Sequence, residues 1–177
     1  MFALGIDIGG TNARAAVVEV ATGRLVTSAK EAWTDRTPGN VVSVVRSLVS
    51  KVTAGHELTG VAAGVGFAGM LRGDVVVNAP NLGWRDVDFG GPLSAALGRR
   101  VRLVNDLSAA AWGELKAGAA RGASDSFTVF VGTGVGSAII SGGALLSGAT
   151  GVAGEFGHLK VVADGGRACG CGEHGCL

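Results

Sequence analysis

Two short glycine-bearing segments have the residue types needed to hold phosphate. The first, DIGGTN from Asp7, lies between the apolar runs Phe2–Ile8 and Ala13–Val20. A strand, a glycine-rich turn and a second strand make a hairpin whose turn offers several backbone N–H groups to an anion. Gly9 and Gly10 let a phosphate come close, Thr11 adds a hydroxyl donor, and Asp7 can hold a hydrated Mg²⁺. An ordinary hairpin loop has the same composition, so this stretch alone does not decide the matter. The second segment, GTGVG, sets Gly132, Thr133, Gly134 and Gly136 between two more apolar strands. Two such hairpins facing each other across a cleft can hold a nucleotide's phosphates from both sides. Neither is a Lys-bearing P-loop or a strand-to-helix dinucleotide turn. GVGFAG at Gly64–Gly69 fits the G-x-G-x-x-G pattern, but the following MLRGDVVV reads as a turn and a strand, where a dinucleotide site needs a helix.

Two further clusters carry chemistry. Asn105 and Asp106 fall where an apolar strand ends and a helix begins. One of them can serve as a helix N-cap. Equally, a carboxylate at a strand's C-terminal edge can accept the proton of a hydroxyl attacking phosphorus. The three cysteines form C-x-C-x₄-C at Cys169, Cys171 and Cys176. An odd, tight cluster in a chain without a signal sequence argues for metal over disulfides. Three thiolates need a fourth ligand for tetrahedral zinc. His158 and His174 are the candidates. His174 lies inside the cysteine loop, where reaching back is awkward, and His158 lies far enough upstream to close a small lobe.

The elements that must position these residues follow from periodicity. Strands are expected at Phe2–Ile8, Ala13–Val20, Arg24–Ala29, Val61–Gly66, Asp74–Asn78, Val101–Val104 and Phe127–Val131. A helix N-capped by Asn40 is expected to carry Val41, Val44, Val45, Leu48, Val49 and Val52 on one face. Shorter helices are expected over Leu93–Leu97 and Leu107–Lys116. The glycine-rich segment Gly118–Ser124 is the expected boundary between a domain at 1–120 and a second at 121–177. Three strands followed by alternating helices and strands make this an α/β chain.

The 177 residues are 47% apolar with a net charge of +1. That is enough to bury a core, and it points away from nucleic-acid and membrane surfaces. No targeting signal is visible, and a cytoplasmic protein is expected. The uncharged stretch Ser126–Gly154 is long enough to span a bilayer, but Gly142-Gly143 breaks it into a β-hairpin with a primed turn.

Taken together, DIGGTN, NAPNLGW from Asn78, VNDLSAAAWGE from Val104, GTGVGSAII from Gly132, GEFGH from Gly154 and CGCGEHGC from Cys169 resemble the ROK family of sugar kinases. The likeness is greatest to its glucokinases of actinobacterial type, and it runs along essentially the whole chain. It implies an actin-like fold of two ribonuclease-H-like α/β lobes with mixed sheets, here a first lobe and the start of a second that carries a zinc motif. It implies ATP, Mg²⁺ and Zn²⁺ as cofactors and phosphorylation of glucose at the 6-hydroxyl. Asp106 is then the catalytic base and Asn105 a sugar ligand. Glu155 and His158 are the sugar-binding pair, with His158 also on zinc beside Cys169, Cys171 and Cys176. Gly69, Asn78 and Asn81 belong to the loops closing over the sugar. Gly9, Gly10, Thr11 and Asn12 match the first phosphate loop, and Gly132, Thr133 and Gly134 the second. The resemblance also implies a homo-oligomer, a dimer or tetramer. Other family members act on N-acetylmannosamine, N-acetylglucosamine or fructose, use polyphosphate as donor, or sense sugar without catalysis. The sensors carry a DNA-binding segment before the first hairpin, for which a strand beginning at residue 2 leaves no room. Two departures stand out: Ala68 replaces a common Pro, and the family's proteins are longer, so the chain reads as an N-terminal part.

Overall fold

The computed structural model of the chain describes residues 1–58, 60–132 and 134–177. It divides into two compact units, Met1–Ala109 and Ala110–Leu177.

In the first unit, strands β1 (Phe2–Ile8), β2 (Asn12–Glu19) and β3 (Arg24–Ala32) form an antiparallel meander. Helix α1 (Pro38–Thr53) leads to β4 (Ala63–Phe67), which pairs parallel to β1. Strands β5 (Met70–Arg72), β6 (Val75–Ala79) and β7 (Trp84–Asp88) make a separate three-stranded sheet. Helix α2 (Gly90–Leu97) precedes β8 (Val101–Asn105), which pairs parallel to β4. The main sheet is therefore mixed, in the order β3-β2-β1-β4-β8.

Strand register builds the core. Leu4, Ile6 and Ile8 lie opposite Val17, Ala15 and Ala13 on one side and Ala63, Val65 and Phe67 on the other. All nine are buried, as period-2 alternation requires. Six valines make α1 a poor helix on propensity alone. Its stability comes from burying Val41, Val45, Leu48, Val49 and Val52, each contributing roughly 1.5–3 kcal/mol. The expected N-cap at Asn40 is corrected. The helix starts at Pro38 after Thr37, because proline's fixed φ and missing N–H suit the first helical position. Asn40 sits in the first turn and donates from Nδ2 to the Asp35 carbonyl at 2.7 Å. Strand β7 was not expected. Its sequence WRDVD is mostly charged, and only Trp84 is fully buried. Trp84 packs against Phe67 and Phe89, with ring centroids 5.7 and 5.1 Å away.

Helix α3 (Asp106–Ala117) contains the division between the units. The second unit follows it with β9 (Ser126–Val131), β10 (Val135–Ser141) and β11 (Ala144–Leu145), a sheet in the order β11-β10-β9. Gly142 and Gly143 both have positive φ, 58° and 75°, which gives the expected primed turn. The uncharged stretch is therefore strands and turns, and no described helix is long and apolar enough to cross a membrane. A 3₁₀ turn at Phe156–His158 leads into the cysteine segment.

The β9–β10 hairpin repeats the β1–β2 hairpin, with Val131 in the place of Ile8. Leu4, Ile6 and Ile8 are 2, 4 and 0% exposed, whereas Phe127, Val129 and Val131 are 51, 43 and 81% exposed. The same pattern thus carries very different energies in the two units. Ile8→Ala is expected to destabilise the chain by about 2–5 kcal/mol and Val131→Ala by under about 0.5 kcal/mol. Urea unfolding monitored separately in each unit checks this.

Candidate functional site

Three parallel strands end at one edge of the main sheet. Asp7 of β1 lies opposite Gly66 of β4, and Gly66 opposite Val104 of β8. One residue further on, Ile8, Phe67 and Asn105 share a row. The Gly9–Thr11 turn, Ala68-Gly69 and the start of α3 therefore emerge together, at the strand C-termini where α/β proteins place ligands.

Asn105 is the cap of α3. Its Oδ1 accepts from the backbone N–H groups of Leu107 and Ser108 at 3.0 and 3.1 Å. Its Nδ2 donates to the Gly69 carbonyl at 3.4 Å, tying the loop after β4 to the helix start. Capping by Asn105 leaves its neighbour a different part. Asp106 is half-buried, with Oδ1 accepting from the Leu107 N–H at 3.0 Å. Burial pushes its carboxyl above the ordinary range, and the nearby negative charge of Asp7 adds to this against the pull of the Leu107 N–H. Gly66 lies in register with Asp7 on the neighbouring strand. A Cβ there would make ordinary contact with the Asp106 Cα and the Ala109 Cβ, both at 3.5 Å.

A raised carboxyl is a stability statement. Its contribution is fully present below the ordinary aspartate range and is lost as pH rises through the folded value. Asp106→Asn removes this penalty, so the variant is expected to melt higher than the parent at neutral pH. The gap should close as the solution is acidified, and calorimetric melting across pH checks it.

The first turn is tight, with the Gly9 N–H donating to the Asn12 carbonyl at 3.0 Å. Asn12 Nδ2 donates to Thr11 Oγ1 at 3.1 Å. A Cβ on Gly10 would lie 2.6 Å from the Asn81 Cβ, so the turn rests directly on the loop after β6. This contact was missed in the sequence because the residues are remote and neither type signals it. Gly69 is equally constrained, since a Cβ there would meet the Asn78 carbonyl at 2.8 Å. Gly10→Ala is expected to cost about 1–3 kcal/mol through overpacking. Adding Asn81→Gly should return a measurable part of that loss, and a double-mutant cycle by urea unfolding tests the coupling. Asp7, Gly9, Gly10, Thr11, Asn12, Gly69, Asn78, Asn81, Asn105 and Asp106 thus all belong to the first unit.

In the second unit, the Gly132 N–H donates to the Gly134 carbonyl at 2.9 Å. Thr133 lies outside the described residues. Ser137 Oγ donates to the Gly154 carbonyl, which fixes the approach to Glu155 and His158. His158, Cys169, Cys171 and Cys176 come together, with one ligand atom from each all within 4.8 Å of one another. This is wider than the expected convergence of about 4 Å for tetrahedral ligands. Two edges already match, with Cys169 Sγ 3.6 Å from His158 Nδ1 and Cys171 Sγ 3.8 Å from Cys176 Sγ. His174 is not in the group. Its backbone instead bridges to Ala168, while the Cys169 N–H donates to the Glu173 carbonyl at 2.7 Å. Lys160 Nζ pairs with Glu173 Oε2 at 2.8 Å and closes the loop from outside. The Cys171 backbone N–H and the neighbouring thiols lower the Cys169 thiol to about 7. Partial burial and the other two sulfurs push Cys176 up to about 11. Three sulfurs so close cannot all ionise without a cation, and a zinc-type ion suits this donor set. On the other side of the ring, His158 Nε2 faces Glu155 Oε2 at 3.8 Å. One imidazole therefore joins the sulfur cluster to the carboxylate.

Comparison with known proteins agrees with the order of these features. The ROK family matches residues 3–177. The glucokinase of Streptomyces coelicolor is 41% identical over 175 residues, covering 98% of this chain and 54% of the relative. The chain thus spans about half the length of that protein. Among solved structures, a ROK family glucokinase from Streptomyces griseus in complex with glucose and AMPPNP superposes with a TM-score of 0.87 at 40% identity, over 99% of this chain and 55% of that one. An inorganic polyphosphate/ATP-glucomannokinase from Arthrobacter superposes with a TM-score of 0.78 at 33% identity, over 90% and 64%. With the family matched from the first strand to the cysteine cluster, and with a mixed α/β sheet like that of its solved kinases, the chain belongs to the ROK family.

Proposed function

We propose that the whole protein is a glucokinase that transfers the γ-phosphoryl group of ATP to the 6-hydroxyl of glucose. The observation that carries this reading is Asp106, a half-buried carboxylate with a raised proton affinity at the same sheet edge as the Gly9–Asn12 turn. A base of this kind holds a hydroxyl's proton as the oxygen attacks phosphorus. Asn105 is already committed to capping α3 and to Gly69, so it holds Asp106 in place and offers its remaining amide N–H to a sugar oxygen. Glu155 and His158 orient the sugar for in-line attack, with Gly69, Asn78 and Asn81 in the loops over it. Gly9, Gly10, Thr11 and Asn12, with Gly132, Thr133 and Gly134, bind phosphate through backbone N–H groups. Asp7 holds hydrated Mg²⁺, which when bound neutralises the charge spreading over the transferring group. His158, Cys169, Cys171 and Cys176 hold a structural zinc that fixes the His158 ring.

On this reading the lobes run over 1–120 and 121–177, and the second is the start of another ribonuclease-H-like lobe in an actin-like kinase. The protein works in the cytoplasm, where reduced thiols stay available to metal, and it acts as a homo-oligomer. The test is a chimera in which the chain replaces the matching part of the Streptomyces coelicolor glucokinase. It is assayed with ATP or polyphosphate against glucose, N-acetylmannosamine, N-acetylglucosamine and fructose. The highest kcat/KM for glucose with ATP is expected, and a clear preference for another sugar or donor would overturn the assignment.

A further inference from the structure

The three sulfurs of the cysteine cluster are not equivalent. Cys171 is exposed, whereas Cys169 and Cys176 are half-buried. The Cys171 and Cys176 sulfurs are 3.8 Å apart, so closing to a bond of about 2.05 Å requires a movement of under about 2 Å. The intervening Gly172 and Gly175 have positive φ values of 97° and 76°, a backbone in which this short loop already turns back on itself. Backbone bonds hold it there, with the Gly172 N–H on the Cys169 carbonyl and the Gly175 N–H on the Arg167 carbonyl at 3.0 and 2.9 Å. Cys169 lies within 4.8 Å of both sulfurs and also faces His158 Nδ1 at 3.6 Å.

We propose that Cys171 and Cys176 are a peroxide-sensitive dithiol that closes to a disulfide when the cluster holds no metal. The Cys171 thiolate attacks one oxygen of hydrogen peroxide, giving a sulfenic acid and hydroxide. The Cys176 thiol then attacks the Cys171 sulfur, and its proton leaves with the expelled hydroxide as water. Counting protons, two thiols and one peroxide give one disulfide and two waters. The sulfurs are oxidised and the peroxide oxygens reduced. Once the bond has formed, only Cys169 and His158 remain as donors, too few for a tetrahedral site. Oxidation and zinc therefore exclude each other. This second half rests on the zinc reading above, whereas the disulfide itself does not.

The experiment uses the chain itself, reduced and stripped of metal, then exposed to hydrogen peroxide and trapped with N-ethylmaleimide. Trypsin cuts after Arg167 and leaves all three cysteines on one peptide, which tandem mass spectrometry resolves. The expected product is lighter by about 2 Da and carries the maleimide on Cys169 alone. The native chain should form it at least about tenfold faster than the chain in concentrated guanidinium, because the fold holds the pair together. Cys169→Ser should keep the bond and Cys176→Ser should lose it. A maleimide found on Cys171 or Cys176, sulfinic acid as the main product, or equal rates in guanidinium would overturn the proposal. In the zinc arm, one equivalent of zinc should slow closure at least about tenfold, and the oxidised chain should take up zinc again only after dithiothreitol. Closure unaffected by bound zinc would overturn the exclusion. A chain that binds no zinc yet closes normally would overturn the metal reading while leaving the dithiol intact.

Discussion

Asp106→Asn is expected to lower kcat for phosphoryl transfer by about 10²- to 10⁴-fold in the chimera, with glucose still binding. The substitution isolates the proton. Asparagine keeps an Oδ1 that can accept from the Leu107 N–H, which now lies 3.0 Å from the Asp106 carboxylate. The cap on α3 belongs to Asn105 and is untouched. The helix start is therefore preserved, and a loss confined to kcat reports an interaction made in the transition state. The parent enzyme should show an acidic limb above the ordinary aspartate range, because burial first and Asp7 after it raise the Asp106 carboxyl. Activity should rise with pH along that limb as the base loses its proton. A variant that turns over within about threefold of the parent would remove Asp106 from the chemistry. Its melting behaviour separates this from damage: a variant that is more stable at neutral pH yet nearly inactive has lost a functional group, not a fold.

How much of this arrangement could be read beforehand depends on whether the signal was local. The β1–β2 hairpin was legible because Leu4, Ile6 and Ile8 alternate up to a glycine pair, and the same held for the turn at Gly142-Gly143. The strand-to-helix junction at Asn105-Asp106 was legible too, but its two roles separate only in three dimensions. The structure gives the cap to Asn105 and leaves Asp106 half-buried. GVGFAG runs from β4 into β5 and not into a helix, as the residues that follow it indicate. Strand β7 escaped because WRDVD buries one aromatic ring and little else. Asn40 misled because an Asx residue ahead of a valine-rich face resembles a cap, while Pro38 two residues earlier sets the backbone. The Gly10–Asn81 contact has no local trace at all.

Zinc is expected to bind once per chain at His158, Cys169, Cys171 and Cys176, and its removal should be felt well beyond the cluster. Loading should draw the four ligand atoms in from their present spread of up to 4.8 Å toward Zn–S distances of about 2.3 Å and a Zn–N distance of about 2.0–2.1 Å. Free zinc at a hundred times its dissociation constant adds about 2.7 kcal/mol of stability to whatever folds around it. Chelation should therefore strip hydrogen-exchange protection from the segment between Lys160 and Leu177, whose ladder consists of isolated bridges at Lys160–Cys176 and Ala168–His174. The buried amides of β1 and β4 should keep theirs. Acid should also release the metal, because protons compete for the thiolates. The wider consequence runs through one ring. His158 presents Nδ1 to Cys169 and Nε2 to Glu155, so losing the metal frees the imidazole that stands beside the proposed sugar carboxylate. In the chimera, chelation or Cys169→Ser should raise the KM for glucose by about 10-fold or more, the low end of what mutating the partners that orient a metal ligand costs in metal affinity or activity. The KM for ATP should move far less. An unchanged glucose KM, with zinc shown by elemental analysis to be gone, would mean that the cluster braces the chain without shaping the sugar site.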